Sequence, residues 1–476
     1  MHGMSTPASR NRPAMGLRLI IAACALALSL GTALAQVAFD APDANFQGRV
    51  RAGAAEQGQP VYSGSDVKIS GQNFKPGQTI TILRGAQTLG DGAVTTDQEG
   101  KFEAKFKLPD DSVVGTHPLV LTTSAPYHAE IVDLKVSPRV PLSGAEKFDV
   151  QANKLVPGLY QSAYSAKSNA LFVTSSSGRP PAIKDSALLK VNPDTLAIEA
   201  KATPAAAPAR KDGEEGGVFA VYGVGVDNAS GTVWVTNTRQ NTVAVYKQSD
   251  LSLVKQFDPG TVKHARDVAI DEKNGKAYVS STGTPRVAVL DAKSLSFIKY
   301  IEIDSTQRGE DFSVGSLQFD ATSGKLYAVS LSTGEAAIID VASDSVEKVF
   351  KVEGARTAIG VAYDAQTNRI FVAGQGSDNL LIVDAESGKT LSNVAVGAGA
   401  LNVTFDPVER LAYVSSRDAG TVTVVDPEGN IVANLENAPL ANHVVSDGKG
   451  TVYAVNKSRS ADDPQGDRVS KIVAKK

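Results

Sequence analysis

The sequence predicts an all-β chain, a seven-bladed β-propeller behind a small antiparallel β-sandwich, and three observations carry that expectation. An aspartate or serine stands seven positions before an aromatic residue in seven places: Ser165/Phe172, Asp227/Trp234, Asp271/Tyr278, Asp320/Tyr327, Asp364/Phe371, Asp406/Tyr413 and Ser446/Tyr453. In four of those copies a further aspartate, Asp291, Asp340, Asp384 or Asp426, follows the aromatic by thirteen positions. Ahead of the repeats, Phe102, Ala104, Phe106 and Leu108 alternate with Lys101, Glu103, Lys105 and Lys107, the two-residue period of a half-buried strand.

The clearest copy, Arg266 to Ile303, contains four strand-like runs. Val268 and Ile270, then Ala277 and Val279, alternate with other residues; Val287 to Leu290 and Phe297 to Ile303 follow, and Asn274-Gly275 supplies a hairpin turn. Each copy therefore reads as one four-stranded antiparallel blade. A blade cannot bury both of its faces, so stacking seven around an axis supplies the missing surfaces. The repeated aspartates fall where strands end and accept backbone N–H groups as Asx-turns, and the aromatic column, with the single Trp234, packs between blades.

In chain order, residues 1–35 join Arg10, Arg12 and Arg18 to an apolar run and the small-residue site Ala33-Leu34-Ala35, the pattern of a secretory signal peptide cleaved after Ala35. Cys24 lies inside that run and is the only cysteine, so a disulfide framework and a thiol nucleophile are excluded from the mature chain. No later run approaches the ~20 residues of a membrane span. Export to the periplasm is the expected destination. The whole chain carries −3, and losing three arginines makes the mature form −6, which disfavours general polyanion affinity without excluding nucleic acid. Residues 36–59 read as a flexible lead-in, 60–136 as the sandwich, 137–144 with Pro138 and Pro141 as a linker, and 145–476 as the propeller. The last copy offers only three strands, and Phe148 to Leu155 is expected to supply the fourth by pairing with Arg468 to Val473.

Two resemblances add to this reading. SGQNFKPGQTITI followed by GKFEAKFKLP resembles bacterial immunoglobulin-like domains, which serve as spacers or docking surfaces. Gly158-Leu159-Tyr160, NALFVTSSS, VNPDTL, Trp234-Val235-Thr236-Asn237 and FDPVERLAYVSSRDAGTVTVVDP resemble the YncE-like family of exported YVTN-repeat propellers. That resemblance implies a periplasmic, non-enzymatic protein, in some cases associated with outer-membrane uptake systems.

Inner strands begin at the mouth of the central channel. Four residues before each repeated Asp or Ser stand Gln161, Gly223, Asp267, Ser316, Gly360, Asn402 and Asn442, all small or polar, and His443 follows one position later. Two readings stand for this column: positions that merely tolerate solvent, or a polar ring that holds a ligand. His443 likewise reads either as a hydrogen-bonding residue at the ring closure or as a ligand or proton-transfer group. Loops on the same face carry Arg239, Arg266 and Arg417, suited to carboxylate or phosphate, amid acidic residues. No Gly-x-Ser-x-Gly elbow, P-loop or dinucleotide fingerprint is present. The expectation is a monomeric, cofactor-free binding scaffold for a protein partner or small anionic ligand. Two alternatives are a lactonase-like hydrolase with a divalent ion at Asp267, Asn402 and Asn442, and single-stranded nucleic-acid binding by the arginines with Tyr160 or Tyr222.

Overall fold

The chain forms strands because its alternating and β-branched runs are bounded by turn residues every few positions. The structure, a computed structural model, describes residues 39, 42–124, 126–178, 183–210, 213–460 and 462–476. The expected signal peptide, with Cys24, lies outside them. No helix of the described residues is long and apolar enough to cross a membrane.

The first unit packs two sheets face to face. Arg49–Ala54, Asp66–Gln72 and Phe102–Lys107 form one; Thr79–Arg84, Gly115–Thr123 and His128–Val136, with two short pieces, form the other. Val67, Ile69, Ile80, Phe102, Leu121 and Leu134 share the core between them. Arg49–Ala54 corrects the expectation of a flexible lead-in through Gln59. It pairs antiparallel with Asp66–Gln72 and turns Val50, Ala52 and Ala54 toward the core. Its small and charged residues conceal that alternation in the sequence.

Beyond it, seven four-stranded antiparallel sheets follow among the described residues. Their inner strands are Leu159–Ser165, Val224–Asp227, Ala265–Asp271, Val314–Asp320, Ala358–Asp364, Ala400–Asp406 and Ala441–Ser446. Each inner strand packs against the next, and the seventh packs against the first, so the sheets form a ring, here numbered one to seven. Phe148–Lys154 completes sheet seven by pairing with Arg468–Ala474, from Ala474 opposite Phe148 to Arg468 opposite Lys154. Phe172, Trp234, Tyr278, Tyr327, Phe371, Tyr413 and Tyr453 are all buried.

The repeated carboxylates cap the turns. Asp271 accepts from Asn274 N–H at 3.1 Å, and Asp291 from Lys293 and Ser294 N–H at 2.9 and 2.6 Å. Asn274-Gly275 is the end of a four-residue loop, Glu272 to Gly275, rather than a two-residue hairpin: Asp271 pairs with Lys276, and of the two only Gly275 has positive φ. The corresponding left-handed position is filled by Asn169, Gly231, Gly324, Asn368 and Gly450, and in sheet six by Arg410 at φ 59°.

Strand register corrects one column. In sheets one to six the residue opposite the repeated aromatic lies two before the repeated Asp or Ser, as Ala269 does for Tyr278 and Thr404 for Tyr413. In sheet seven Val445 faces Tyr453, so Asp447, not Ser446, matches the other aspartates. The turn there is one residue shorter. The ring position therefore belongs to His443, and Asn442 stands one step above it on the rim.

Candidate functional site

The inner strands bring Gln161, Gly223, Asp267, Ser316, Gly360, Asn402 and His443 to the same level around the axis. Four of these side chains do one job. Gln161 Oε1 accepts the N–H of Val224 at 3.3 Å, Asp267 Oδ2 that of Leu317 at 3.2 Å, Asn402 Oδ1 that of Val444 at 2.9 Å, and His443 Nδ1 that of Ser162 at 3.4 Å. In each pair the acceptor reaches the inner strand of the next sheet, one position beyond the ring residue there. These bonds satisfy main-chain donors that face the channel instead of a neighbouring strand. The two ring glycines serve the same closeness differently: a Cβ on Gly223 would stand 1.9 Å from Arg266 O, and one on Gly360 2.8 Å from Asn402 Cα.

Above the ring lies a cavity of about 250 Å³. It gathers Gln161 from sheet one, Arg266 from sheet three, Asn402 and Arg417 from sheet six, and Asn442 and His443 from sheet seven, with Tyr160, Ile359, Gln375 and Leu401 as walls. Only a closed ring brings such distant segments together. Arg417 donates to Asn442 Oδ1, and Asn442 Nδ2 donates to Tyr160 O at 2.6 Å. Arg266 Nε is buried with no hydrogen-bond partner among the described residues, and the Arg266 guanidinium has no ion pair within them. Asp267 and Arg239 do not line the cavity. Asp267 is turned toward sheet four, while Arg239 is exposed in the loop after Thr232–Asn237, where it joins Arg266 and Lys263 around His264.

Charge in this region is mostly cationic. Burial pushes the His264 imidazole below its usual pKa, and Arg239, Arg266 and Lys263 push it further. His443 retains a little accessible surface, but that surface faces the narrow channel. Desolvation lowers its pKa to about 4, against the pull of Asp267 and with the help of Arg266, so it is neutral near pH 7. Lys457, which the sequence reading overlooked, holds its ammonium 4.8 Å above the Tyr160 ring. Burial brings it down to about 8, Arg417 adding to the shift and Asp467 opposing it. Its sequence neighbourhood, a polar insertion near the C-terminus, gave no sign of that position.

The sandwich stands on this same face, over sheets five to seven. Lys135 Nζ donates to the buried Asp378 carboxylate at 2.7 Å and to Gln375 O at 3.0 Å, Arg356 pairs with Asp133 at 3.2 Å, and Arg459 donates to Gly58 O at 2.6 Å. Arg139 lies 4.0 Å over the Tyr62 ring. Residues of the expected linker are also tied down, with Asn434 Nδ2 donating to Val140 O at 3.0 Å and Ser143 bridging to Asn434.

Most of the oxygens required by the divalent-ion alternative are already engaged, Asp267 Oδ1 being the exception. Asn402 Oδ1 and Asp267 Oδ2 accept main-chain N–H groups, and Asn442 Oδ1 faces a guanidinium, whose charge would repel a cation. The residues present do not fit that ion.

No family model matches the chain. It is 29% identical over 118 residues to an uncharacterised protein, YncE, of Salmonella typhimurium, and 28% identical over the same length to YncE of Salmonella typhi. Each match covers 24% of this chain and only 33% of the relative. Among solved structures it is similar to Kuenenia stuttgartiensis hydrazine synthase, with TM-score 0.52, 15% identity, 63% of this chain and 93% of that one. It is also similar to virginiamycin B lyase from Staphylococcus aureus, with TM-score 0.52, 12% identity, 69% of this chain and 100% of that one. The ring is a β-propeller. At such identities the likeness to the propeller neighbours extends to the fold alone, and similarity to YncE is weak and partial.

Proposed function

We propose that the chain is an exported periplasmic binding scaffold: a seven-bladed propeller with an immunoglobulin-like module, recognising a protein partner or small anionic ligand through its channel mouth without catalysing a reaction. The observation that carries this reading is Arg266, which has no ion-pair partner among the described residues and opens on a cavity that also presents Arg417. A buried polar atom without a partner is costly, and an anion would satisfy it. The partial similarity to YncE supports the propeller, while export and an association with an outer-membrane uptake system belong to this proposal. The activities named for the solved neighbours do not come with the fold.

Capture from periplasmic extract tests the surface. Reversing the charges of Arg239, Arg266 and Arg417 together is expected to release what the wild-type chain retains. Unchanged retention would place recognition elsewhere, and EDTA-sensitive lactone hydrolysis would replace the scaffold with an enzyme. Export is checked by intact mass: the expected mature chain starts at Gln36, and a lipid-bearing start at Cys24 contradicts the soluble form.

A further inference from the structure

A backbone N–H can only donate, so any side chain it meets must turn an acceptor toward it. This orients the ring without ambiguity. Gln161 and Asn402 give their amide oxygens to Val224 and Val444, leaving each NH2 group on the other side. His443 gives Nδ1 to Ser162, so the neutral imidazole carries its proton on Nε2. No hydrogen bond joins either amide nitrogen or His443 Nε2 to a described residue. Asn442 is satisfied at both ends, by Arg417 and by Tyr160 O, while the Gln375 carbonyl is occupied by Lys135.

The polar side-chain groups left over in the cavity are consequently mostly donors. They comprise the two amide NH2 groups, one imidazole N–H and the guanidinium groups of Arg266 and Arg417. Among these side chains the Tyr160 hydroxyl and the Gln375 amide can act either way, and the Gln161 and Asn402 oxygens each keep one lone pair. A sugar would need acceptors in return for its hydroxyl protons, and a cation would find guanidinium groups. An oxyanion supplies what is missing. The donors come from sheets one, three, six and seven, so they surround a ligand and do not grip one edge, which favours several oxygens on a compact frame. A cavity of about 250 Å³ is smaller than usual for a drug-sized molecule.

We infer that the cavity binds a compact multi-oxygen anion of the phosphate or di- or tricarboxylate class, held by Arg266 and Arg417 with the N–H groups of Gln161, Asn402 and His443. This rests on the channel mouth being the recognition surface. Lys457, beside Arg417, adds charge that declines as pH rises past its own pKa.

Calorimetric titration with inorganic phosphate and with citrate is the test, using glucose and choline as neutral and cationic controls. One-to-one binding of either anion, and of neither control, is expected. Arg266→Gln and Arg417→Gln should each weaken it at least tenfold while the melting temperature is retained, and Lys68→Gln, in the sandwich, should leave it unchanged. Arg417→Gln serves if the Arg266 variant fails to fold. Absence of heat with both anions, equal binding of glucose, affinity insensitive to both arginines, or oligonucleotide binding that citrate does not displace would overturn the inference. If neither anion binds but the triple charge reversal still releases the captured partner, the ligand class falls and the recognition surface stands.

Discussion

His443 and Ser162 join the last ring sheet to the first: the imidazole Nδ1 accepts the Ser162 N–H at 3.4 Å. Protonation at Nδ1 would destroy that acceptor. With its pKa lowered to about 4 by burial, the imidazole favours the folded state fully above its unfolded value near 6.5. The contribution, roughly 3 kcal/mol, falls away as pH drops through that interval toward 4, where the unfolded chain binds the extra proton. His443→Asn keeps an acceptor, as Asn402 does in the preceding sheet, and removes the titration. The variant should lose less stability than wild type between pH 7 and 4.5. Parallel denaturation midpoints across that range would refute the assignment.

Gly223 is fixed by the chain beside it. Alanine there would drive a Cβ to 1.9 Å from Arg266 O, a main-chain atom that cannot turn aside. Gly223→Ala should cost about 1–3 kcal/mol in urea denaturation, and because Arg266 must shift, phosphate or citrate binding should weaken as well. Wild-type stability would show that the two inner strands are less closely apposed.

Arg410 occupies a left-handed turn position that the other ring sheets give to glycine or asparagine, and its guanidinium binds both oxygens of Asp364, buried in sheet five. Arg410→Gly would relieve backbone strain of about 1–2 kcal/mol but leave the buried carboxylate without its cation, with only the Gln366 N–H and the Thr367 hydroxyl as donors, a loss on the order of 3–5 kcal/mol. The net expectation is destabilisation by about 2 kcal/mol. Adding Asp364→Asn should restore part of it, which a double-mutant cycle measures; strictly additive effects would rule out the coupling.

Lys135→Met removes the cation from Asp378, whose carboxylate is 2% exposed. Asp378 would keep only the Gly399 N–H at 2.7 Å. Attachment of the sandwich should weaken by on the order of 2 kcal/mol. Faster protease cleavage between Ser137 and Gly144, with the ring left intact, is the expected readout. Unchanged cleavage would mean that the other contacts suffice.

The repeat was legible because each sheet carries the same turn carboxylate and the same buried aromatic, and packing admits few substitutes for either. It misled at sheet seven for a physical reason. Ser446 stands seven before Tyr453 just as Ser165 stands before Phe172, and only the pairing of Val445 with Tyr453 reveals the shorter turn. The polar column was visible as a pattern, but its use between sheets was not, since an acceptor and its N–H partner lie tens to hundreds of positions apart. Contacts such as Lys135 with Asp378 leave no local periodicity and so no signal in the sequence.

The pairing of Phe148–Lys154 with Arg468–Ala474 sets the order of assembly. The earlier strand lies far ahead of its partner in the chain, and sheet seven cannot be completed until Arg468–Ala474 is in place. Six sheets can stack, each on the one before, while sheet seven keeps an unpaired edge that invites association with other chains. Closure is thus a long-range step, slowed by the long loop it must gather. A chain lacking Arg468–Ala474 is the form in which this protein is most exposed to aggregation.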